Sequence, residues 1–345
     1  MTPRLRVLVV EDSLTIRKFL VEVLSAELDV VGEAADGRQA IELCRALKPD
    51  VITLDMILPV MSGLAVTEYI MAFCPTPILI VSASTNRGEL YQTYQALAAG
   101  ALDVLEKPRG DFEDEAWKRN LVASVRMVSR IKVITHLRGK LEQHTRMPAH
   151  APAVTGRRRL IAIGASTGGP GAVLDIFREL PASFPIPILL VMHISQPFAT
   201  AFAEWLDANS GQRVRYAKDG ERVPILGDSG VWMAPPDYHL LVRQGRLHLT
   251  RDPERHSCRP SVDVLFESVA REVGRDSMGV LLTGMGKDGA LGLLSMRQAG
   301  AATIGQDEES SVVFGMPKEA IAVGAVERIL PLGDIARAIA AEVKP

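Results

Sequence analysis

The stretch IAIGASTGGP, residues 161–170, begins with apolar and small residues and runs into a glycine-rich loop with one serine at its centre. Two chemistries use such a loop. Its glycines can let backbone N–H groups surround a dinucleotide phosphate. Alternatively, the G-x-S-x-G spacing of residues 164–168 can form a sharp turn that lifts Ser166 out of a sheet as a nucleophile. The stretch by itself leaves both open.

The length and charge of the chain indicate a globular protein of two domains. With 345 residues it exceeds what one ordinary hydrophobic core organises. It is 47% hydrophobic, and its formal net charge is -2. A charge this small gives no strong attraction to nucleic acid or to membrane surfaces, so we expect neither as a partner.

Three further features concern the cellular compartment. No apolar run approaches the roughly 18 residues that span a bilayer, so we expect no membrane insertion. The N-terminus lacks the long apolar core of a signal peptide. Cys44, Cys74 and Cys258 are odd in number and widely spaced, which argues against a disulfide framework or a zinc site. We therefore expect a cytoplasmic protein.

Residues 4–124 alternate strand-like and helix-like segments. Helical stretches separate four apolar runs, which are RVLVV (6–10), VITLD (51–55), ILIVSA (78–83) and DVLEKP (103–108). Such alternation predicts a parallel sheet covered by helices on both faces. This half is therefore predicted to be an α/β domain.

A second apolar series predicts another α/β domain over residues 157–343. Its runs are RLIAIGAS (159–166), PILLVMHIS (187–195) and MGVLLTG (278–284), and HLLVRQGRLHLT (239–250) predicts a β-hairpin. The intervening residues 125–156 are rich in Lys and Arg and become rich in Pro and Ala. Because aromatic residues do not interleave with this charge, we interpret the segment as a basic linker rather than a nucleic-acid site.

Polar groups end the strands of the first half. Glu11 and Asp12 follow the first strand, and Asp55 ends a later one. Parallel strand ends share one crevice, so these carboxylates should meet, an arrangement that a hard cation such as Mg²⁺ stabilises. Ser82 and Lys107 end two further strands. A hydroxyl and an ammonium beside a metal-bound carboxylate suit a phosphoryl group.

The first half resembles the receiver domain of two-component response regulators over residues 4–124. The resemblance implies a flavodoxin-like fold with a five-stranded parallel sheet, and it implies that Asp55 is the phosphoacceptor. It also implies that Glu11, Asp12 and Asp55, with the backbone carbonyl of Ile57, hold Mg²⁺.

The same resemblance implies that Ser82 and Lys107 contact the phosphoryl group. One position departs from the family. Three residues before the lysine, where receivers often carry an aromatic switch residue, this chain has Val104. The departure leaves phosphoryl binding intact and removes the aromatic part of the switch.

Strand ends in the second half supply partners for Ser166. A serine hydroxyl needs a base to take its proton and an acid to orient that base. His193 directly follows the run ILLVM, and Asp288 lies just beyond VLLTG. All three residues therefore belong to the carboxyl edge of a predicted parallel sheet, where ligands bind in this architecture.

The other histidines fit this role less well. His136, His144 and His150 lie in or beside the linker. His239 and His248 are predicted to be strand residues on a half-exposed face of the hairpin. His256 sits in a polar loop from which it could contact substrate.

The order of Ser166, His193 and Asp288 along the chain decides between a phosphate-binding loop and a nucleophile turn at residues 161–170. A dinucleotide-binding unit needs an acid at the end of the next strand and G-x-G-x-x-G spacing, and this chain has His193 and a different spacing. An α/β-hydrolase presents its partners in the order Ser, acid, His, whereas the order here is Ser, His, Asp. The nucleophile interpretation is favoured, on a fold other than the α/β-hydrolase.

Four motifs in the second half resemble one family. They are GASTGGP (164–170), HIS (193–195), RPSVDVLF (259–266) and LLTGMGKDGA (281–290). In this order they are similar to the catalytic domain of the chemotaxis protein-glutamate methylesterases, the CheB family, over residues 157–343. The resemblance implies a doubly wound, Rossmann-like α/β domain with a β-hairpin. Receiver, linker and catalytic domain also match the layout of the whole family.

The resemblance implies an activity and partners. The expected reactions are hydrolysis of glutamate γ-methyl esters and deamidation of certain glutamines on methyl-accepting chemotaxis receptors. A chemotaxis histidine kinase would phosphorylate the receiver domain, which in its unphosphorylated form restricts access to the catalytic face. The expected cofactor is Mg²⁺ in the receiver domain, with none in the catalytic domain.

Site roles follow from the same resemblance. Ser166 is expected to be the nucleophile, His193 the general base and then acid, and Asp288 the residue that orients His193. The backbone N–H of Met285 is the expected oxyanion donor. A non-catalytic adaptor that binds chemoreceptors or other signalling partners is the alternative. A transcription factor is disfavoured because no helix-turn-helix pattern follows the receiver.

Overall fold

The computed structural model describes residues 4–83, 86–108, 110, 113–131, 133, 158–182, 184–194 and 196–342. Most of the predicted linker, 125–156, and the histidines at 136, 144 and 150 lie outside these ranges. The chain divides into an N-terminal and a C-terminal compact unit. The residue boundaries predicted for the two domains stay a prediction.

The N-terminal unit is a five-stranded, fully parallel sheet with strand order β2-β1-β3-β4-β5. Its strands are β1 (Arg6–Val10), β2 (Asp29–Ala34), β3 (Val51–Leu54), β4 (Ile78–Ser82) and β5 (Asp103–Glu106). Its helices are α1 (Leu14–Ser25), α2 (Gly37–Leu47), α3 (Gly63–Phe73), α4 (Arg87–Ala98) and α5 (Glu115–Ser129). This confirms the predicted flavodoxin-like sheet.

Strand β2 is the one strand of this sheet without a matching apolar run in the sequence. It lies at the sheet edge, and most of its residues are partly or fully exposed. The central strands β3 and β4 are buried along their whole length. An edge strand therefore needs fewer apolar residues, which is why composition did not reveal it.

The C-terminal unit is built on a seven-stranded parallel sheet with order β14-β13-β12-β6-β7-β9-β8. Its strands are β6 (Leu160–Ala165), β7 (Ile188–Met192), β8 (Val214–Tyr216), β9 (Val231–Met233), β12 (Ser277–Leu281), β13 (Ala302–Gln306) and β14 (Arg328–Leu330). Strands β10 (His239–Arg243) and β11 (Arg246–Thr250) form the predicted antiparallel hairpin.

Helices cover the seven-stranded sheet in two groups. They are α6 (Gly169–Glu179), α7 (Phe202–Ser210), α8 (Val262–Glu272), α9 (Ala290–Gln298), α10 (Met316–Ala322) and α11 (Leu332–Ala340). Helix α6 contacts α7 and α11, whereas α9 contacts α8 and α10. The predicted doubly wound α/β domain is thus confirmed.

The strand order reverses at β6. This strand pairs with β7 on one side and with β12 on the other. The chain therefore leaves β6 and β12 in opposite directions, and a crevice opens beyond their carboxyl ends. Ser166 and the loop that carries Asp288 both belong to this edge.

None of the helices in the described part of the chain combines the length and the hydrophobicity that a membrane span requires.

Candidate functional site

The turn between β6 and α6 presents Ser166. Gly168 adopts a left-handed conformation, with φ of 78°, directly before the helix begins at Gly169. A side chain at this φ would be strained, so glycine permits the turn. The Ser166 N–H donates to the Thr283 carbonyl at 3.0 Å, and the Gly169 N–H donates to the Ser166 carbonyl at 2.7 Å. The backbone of the serine is thus held between β6 and the chain beyond β12.

The loop after β12 passes directly against this turn. A Cβ atom on Gly284 would lie 2.7 Å from Ser166 Cβ and 2.3 Å from Met316 Sδ, closer than side-chain carbons approach. Glycine at this position therefore lets the two loops meet. The next residue, Met285, has a side chain 54% exposed. Within the described parts of the chain, the Met285 N–H finds no hydrogen-bond acceptor.

His193 lies beside Ser166 at the carboxyl edge of the sheet. Ala165 and Met192 are the last paired residues of β6 and β7, so Ser166 and His193 follow at the same level. The His193 N–H donates to the Ala165 carbonyl at 3.0 Å. On its ring, Nε2 is 2.9 Å from Asp288 Oδ2. Nδ1 is therefore the ring nitrogen left for other partners.

The charge state of His193 depends on burial and on its partners. Burial opposes a charged ring, but the hydrogen bond with Asp288 and the contact with Cys258 raise the pKa of His193 to about 9. The imidazole is thus a stronger base than a free histidine. A base in this state takes up a proton readily at Nδ1, while the Asp288 carboxylate stabilises the resulting charge through Nε2.

Asp288 is buried and fully satisfied. Oδ1 accepts from Ser261 Oγ at 2.7 Å and from the Asp263 N–H at 3.1 Å, while Oδ2 accepts from the Val262 N–H at 2.7 Å and from His193. Burial raises the pKa of Asp288, but the interactions with His193, Ser261 and Val262 lower it by more than burial raises it. The net shift of the pKa is therefore downward. The residue is a fixed carboxylate.

The residues that donate hydrogen bonds to Asp288 from the start of α8 were not predicted from the sequence. Ser261 and the next two residues form the start of helix α8, whose first N–H groups have no intrahelical acceptors and therefore favour an anion. Ser261 also accepts from the Val264 N–H at 3.4 Å. A serine before the apolar run of RPSVDVLF is a signal for a helix N-cap. That signal predicts the helix start but not the carboxylate bound there.

The described histidines outside this cluster have other partners. His239 was expected on a half-exposed face, but it is 1% exposed, and its Nδ1 accepts from the Ser261 N–H at 3.1 Å. His239 lies on the side of the hairpin that packs against helix α8, which accounts for the difference. His248 lies in β11 and is partly exposed. His256 Nε2 is 3.0 Å from Asp263 Oδ2.

A second cluster lies at the carboxyl edge of the N-terminal sheet. Glu11 and Asp55 are buried, and Lys107 Nζ bridges them at 2.8 Å from Glu11 Oε2 and 2.9 Å from Asp55 Oδ2. Burial and the charge of Asp55 raise the pKa of Glu11 to about 7. Burial also raises the pKa of Asp55, although Lys107 opposes the shift. The positive charge of Lys107 does not fully offset the free-energy cost of burying the two negative charges of Glu11 and Asp55.

The buried carboxylates fit a cation. Asp55 Oδ1 is enclosed and has no hydrogen-bond partner among the described residues. Glu11, Asp12 and Asp55 each offer an oxygen within 4.8 Å of the others, with Asp12 exposed to solvent. Oxygen ligands that lack protein donors suit Mg²⁺. Ile57, two residues after Asp55, is exposed on the same loop.

Ser82 is buried at the end of β4 and contacts Glu89, which was not predicted as a site residue. Its Oγ donates to Glu89 Oε1 at 2.5 Å, and the Ala83 N–H donates to the same oxygen at 3.0 Å. The pattern Asn86 to Glu89 predicts a helix N-cap, and the Glu89 N–H does donate to Asn86 Oδ1 at 3.0 Å. The Glu89 side chain, however, accepts a hydrogen bond from the hydroxyl of Ser82.

Val104, at the position where receivers often carry an aromatic switch residue, is buried in β5.

Comparisons with known proteins cover both units. The family model of CheB methylesterase matches residues 161–339, and that of the response regulator receiver domain matches residues 7–114. A protein-glutamate methylesterase/protein-glutamine glutaminase of Nitrosospira multiformis is 42% identical over 97% of this chain and 96% of its own. A relative of the same name from Nitrosomonas europaea is 42% identical over 99% of this chain and 97% of its own.

One solved structure resembles the C-terminal unit. The CheB methylesterase catalytic domain of Thermotoga maritima is 36% identical and has a TM-score of 0.50. The similarity covers 55% of this chain and 100% of that domain. The likeness therefore extends over the whole of a known catalytic domain.

Proposed function

The chain belongs to the CheB methylesterase family, and we propose on this premise that Ser166, His193 and Asp288 are its catalytic residues. The protein is a protein-glutamate methylesterase/protein-glutamine glutaminase with a receiver domain, and it acts in chemotactic adaptation under control by phosphorylation. The observation that carries the residue assignment is the hydrogen-bonded pair of His193, partly exposed at the level of Ser166, and the buried Asp288.

The proposed mechanism is that of a serine hydrolase. Ser166 Oγ attacks the γ-carbonyl carbon of a methylated glutamate while His193 Nδ1 takes its proton. Asp288 holds the Nε2 proton and stabilises the charged ring. His193 then gives the proton to the leaving methanol, or to ammonia when the substrate is glutamine. Water attacks the acyl-enzyme by the same route, which returns the proton to Ser166.

Stabilisation of the developing oxyanion is assigned to the Met285 N–H. This group has no other acceptor among the described residues, and Gly284 brings its loop against Ser166. A donor of this kind contributes several kcal/mol in a site from which water is excluded, typically about 3 kcal/mol. The Met285 side chain itself is exposed and has no chemical part.

The receiver domain is assigned Asp55 as the phosphoacceptor. Mg²⁺, held by Glu11, Asp12 and Asp55 together with the Ile57 carbonyl, would supply positive charge to the phosphoryl oxygens. An Asp55 oxygen attacks the phosphorus of a phosphodonor, the bond between that phosphorus and the donor breaks as the donor leaves, and Lys107 offers its ammonium to the phosphoryl oxygens. Ser82 contacts the group only after its hydroxyl leaves Glu89.

The remaining assignments concern the setting of the enzyme. We assign a chemotaxis histidine kinase as phosphodonor and the cytoplasmic helices of methyl-accepting receptors as substrate, with the cytoplasm as the compartment. The proposed layout is a receiver domain over 4–124, a basic linker over 125–156 and a catalytic domain over 157–343. Two family models placed in this order support it.

Methanol release from methylated receptor membranes tests the catalytic assignment. We expect Ser166→Ala to abolish release while leaving receptor binding intact, because the hydroxyl is the attacking group. The exposed Ser229→Ala serves as the control. Full methanol release by Ser166→Ala would reject Ser166 as the nucleophile, whereas no release by the wild-type chain would favour the non-catalytic adaptor.

The same assay tests control by phosphorylation. A small-molecule phosphodonor with Mg²⁺ is expected to raise the rate of the wild-type chain, and Asp55→Asn is expected to lose this response. Asp29→Asn, at an exposed position of the same sheet, should keep it. A response that persists in Asp55→Asn would show that another residue accepts the phosphoryl group.

A further inference from the structure

Cys258 lies against the one ring nitrogen that the proposed reaction needs. Its Sγ is 3.8 Å from His193 Nδ1, whereas Nε2 of the same ring is bound to Asp288. Cys258 is a free thiol and is partly exposed. From this arrangement we propose that Cys258 Sγ and His193 Nδ1 form a binding site for a thiophilic divalent cation, Zn²⁺ in the first place, which inhibits the enzyme.

The distances suit a shared cation. Zn²⁺ binds thiolate sulfur at about 2.3 Å and imidazole nitrogen at about 2.0 Å in a tetrahedral arrangement. Two such ligands lie roughly 3.5 Å apart, so a separation of 3.8 Å needs only a small movement. Water would complete the coordination, since the site faces the substrate crevice. The thiol proton leaves to solvent when the cation binds.

Asp288 supplies the outer support that histidine ligands require. A histidine that binds zinc through one nitrogen usually donates its other ring N–H to a carboxylate, which orients the ring and increases its basicity. Here the Nε2–H of His193 donates to Asp288, whose oxygens are fixed by Ser261 and the start of α8. The carboxylate that serves the serine mechanism thus also prepares Nδ1 for a metal.

A constrained turn holds the thiol in place. His256 and Ser257 both have positive φ, 52° and 60°, and backbone hydrogen bonds between Arg255 and Cys258 close the turn in both directions. The Arg255 guanidinium pairs with both carboxylate oxygens of Glu267, at 2.7 Å each. Cys258 is therefore fixed before any metal arrives, which limits the entropy lost on binding.

Sequence spacing could not show this site. Cys258 and His193 are 65 residues apart, and the wide spacing of the three cysteines argues against a zinc site only when the ligands are neighbours in sequence. The fold brings the loop between β11 and α8 against the residue that follows β7, and this places the two side chains together. The inhibitory effect rests on the proposed function, because the cation occupies the nitrogen that must take the proton from Ser166.

A spectroscopic titration of the full chain tests metal binding without activity. Cd²⁺ serves as the probe because a cadmium–thiolate bond absorbs in the ultraviolet, and excess Mg²⁺ keeps the receiver carboxylates filled. We expect an absorption band that saturates at one equivalent in the wild type and disappears in Cys258→Ser. The control is Cys74→Ser, because Cys74 Sγ lies 3.9 Å from Cys44 Sγ and this pair is the other place for a thiophilic ion. A band lost in Cys74→Ser and kept in Cys258→Ser would overturn the proposal.

Inhibition by Zn²⁺ is then measured as methanol release, with each variant normalised to its own metal-free rate. The concentration for half inhibition is expected to rise about tenfold or more in Cys258→Ser and to stay the same in Cys74→Ser. Equal inhibition of wild type and Cys258→Ser would overturn the proposal. A cadmium band without any inhibition would support the metal site and count against His193 as the base.

A measurement on the wild type avoids dependence on the folding of the variant. Iodoacetamide alkylates free thiols, and peptide mass spectrometry reports each cysteine separately. Zn²⁺ is expected to slow the alkylation of Cys258 and to leave that of Cys74 unchanged. Alkylation of Cys258 at the same rate with and without Zn²⁺ would contradict a metal-bound thiolate.

Discussion

Asp55 and Asp288 lie beyond the carboxyl ends of buried strands in two parallel sheets, and both are almost fully buried. Their surroundings differ. Asp288 accepts four hydrogen bonds, and its pKa is lowered. Asp55 shares one ammonium with Glu11, has an oxygen without a hydrogen-bond partner among the residues that the structure describes, and has a raised pKa.

The hydrogen-bond partners of a buried carboxylate decide which task it can perform. A carboxylate with every lone pair occupied is held in one orientation, and its charge can stabilise a neighbouring imidazolium. A carboxylate with an unpaired oxygen keeps a group available for attack or for a cation, at the cost of a less stable fold. The same residue type is thus a positioning group in one sheet and a reactive group in the other.

The largest expected effect comes from removing the charge of Asp288. Asp288→Asn is expected to lower kcat by about 10⁴-fold, because the amide neither stabilises the charged ring nor fixes its tautomer. The measurement is methanol release at substrate saturation, with the exposed Asp29→Asn as control. A loss below tenfold would show that Asp288 is structural only and that its charge has no part in catalysis.

The pH dependence of the esterase rate should follow the raised pKa of His193. The base acts in its neutral form, so the rate is expected to rise with pH and to level off as pH passes about 9. Below that value the slope should be roughly tenfold per pH unit. The profile is measured as methanol release in the presence of a chelator. A plateau already reached near neutral pH would contradict the strong pairing of His193 with Asp288.

A smaller effect is expected from Ser261→Ala, which removes one of the four donors to Asp288. Loss of a hydrogen bond to a charged group costs about 1.5 kcal/mol, so kcat should fall roughly tenfold with KM unchanged. Ser268→Ala is the matched control, because Ser268 is a buried serine of the same helix whose hydroxyl bonds to Val242 and Leu265. If both variants lost activity equally, the effect would belong to the packing of α8.

The smallest expected effects are changes in melting temperature, and these should be opposite in sign for Asp55→Asn and Asp288→Asn. Asp55→Asn removes an incompletely compensated buried charge and is expected to raise the melting temperature in chelator by a few degrees, for a gain of about 1 kcal/mol. Asp288→Asn is expected to lower it by a similar amount, because donors lose a charged acceptor. Differential scanning calorimetry measures both. Shifts of the same sign would show that the two carboxylates are not energetically different.

Much of the fold was predictable because the central strands are buried on both faces and appear as apolar runs. Strand β2, whose residues are largely exposed, escaped this signal. The strand-end rule also predicted the clusters around Asp55 and Ser166, since parallel strands deliver their carboxyl ends to one edge. Ser261 and Glu89 were missed as site residues, because their N-cap patterns predict helix starts and do not specify the third group that the side chain contacts.

The two α/β halves, the order Ser166, His193, Asp288 and the carboxylates that surround Asp55 are legible in the sequence, because each apolar run and the polar residue that follows it are neighbours along the chain. The tertiary packing sets the rest: Nε2 of His193 faces Asp288, Nδ1 faces Cys258, and among the described residues every oxygen of Asp288 has donors whereas Asp55 Oδ1 has none. These are contacts between segments that lie far apart along the chain. Their geometry depends on how loops and helices pack over the strand ends, which no periodicity records.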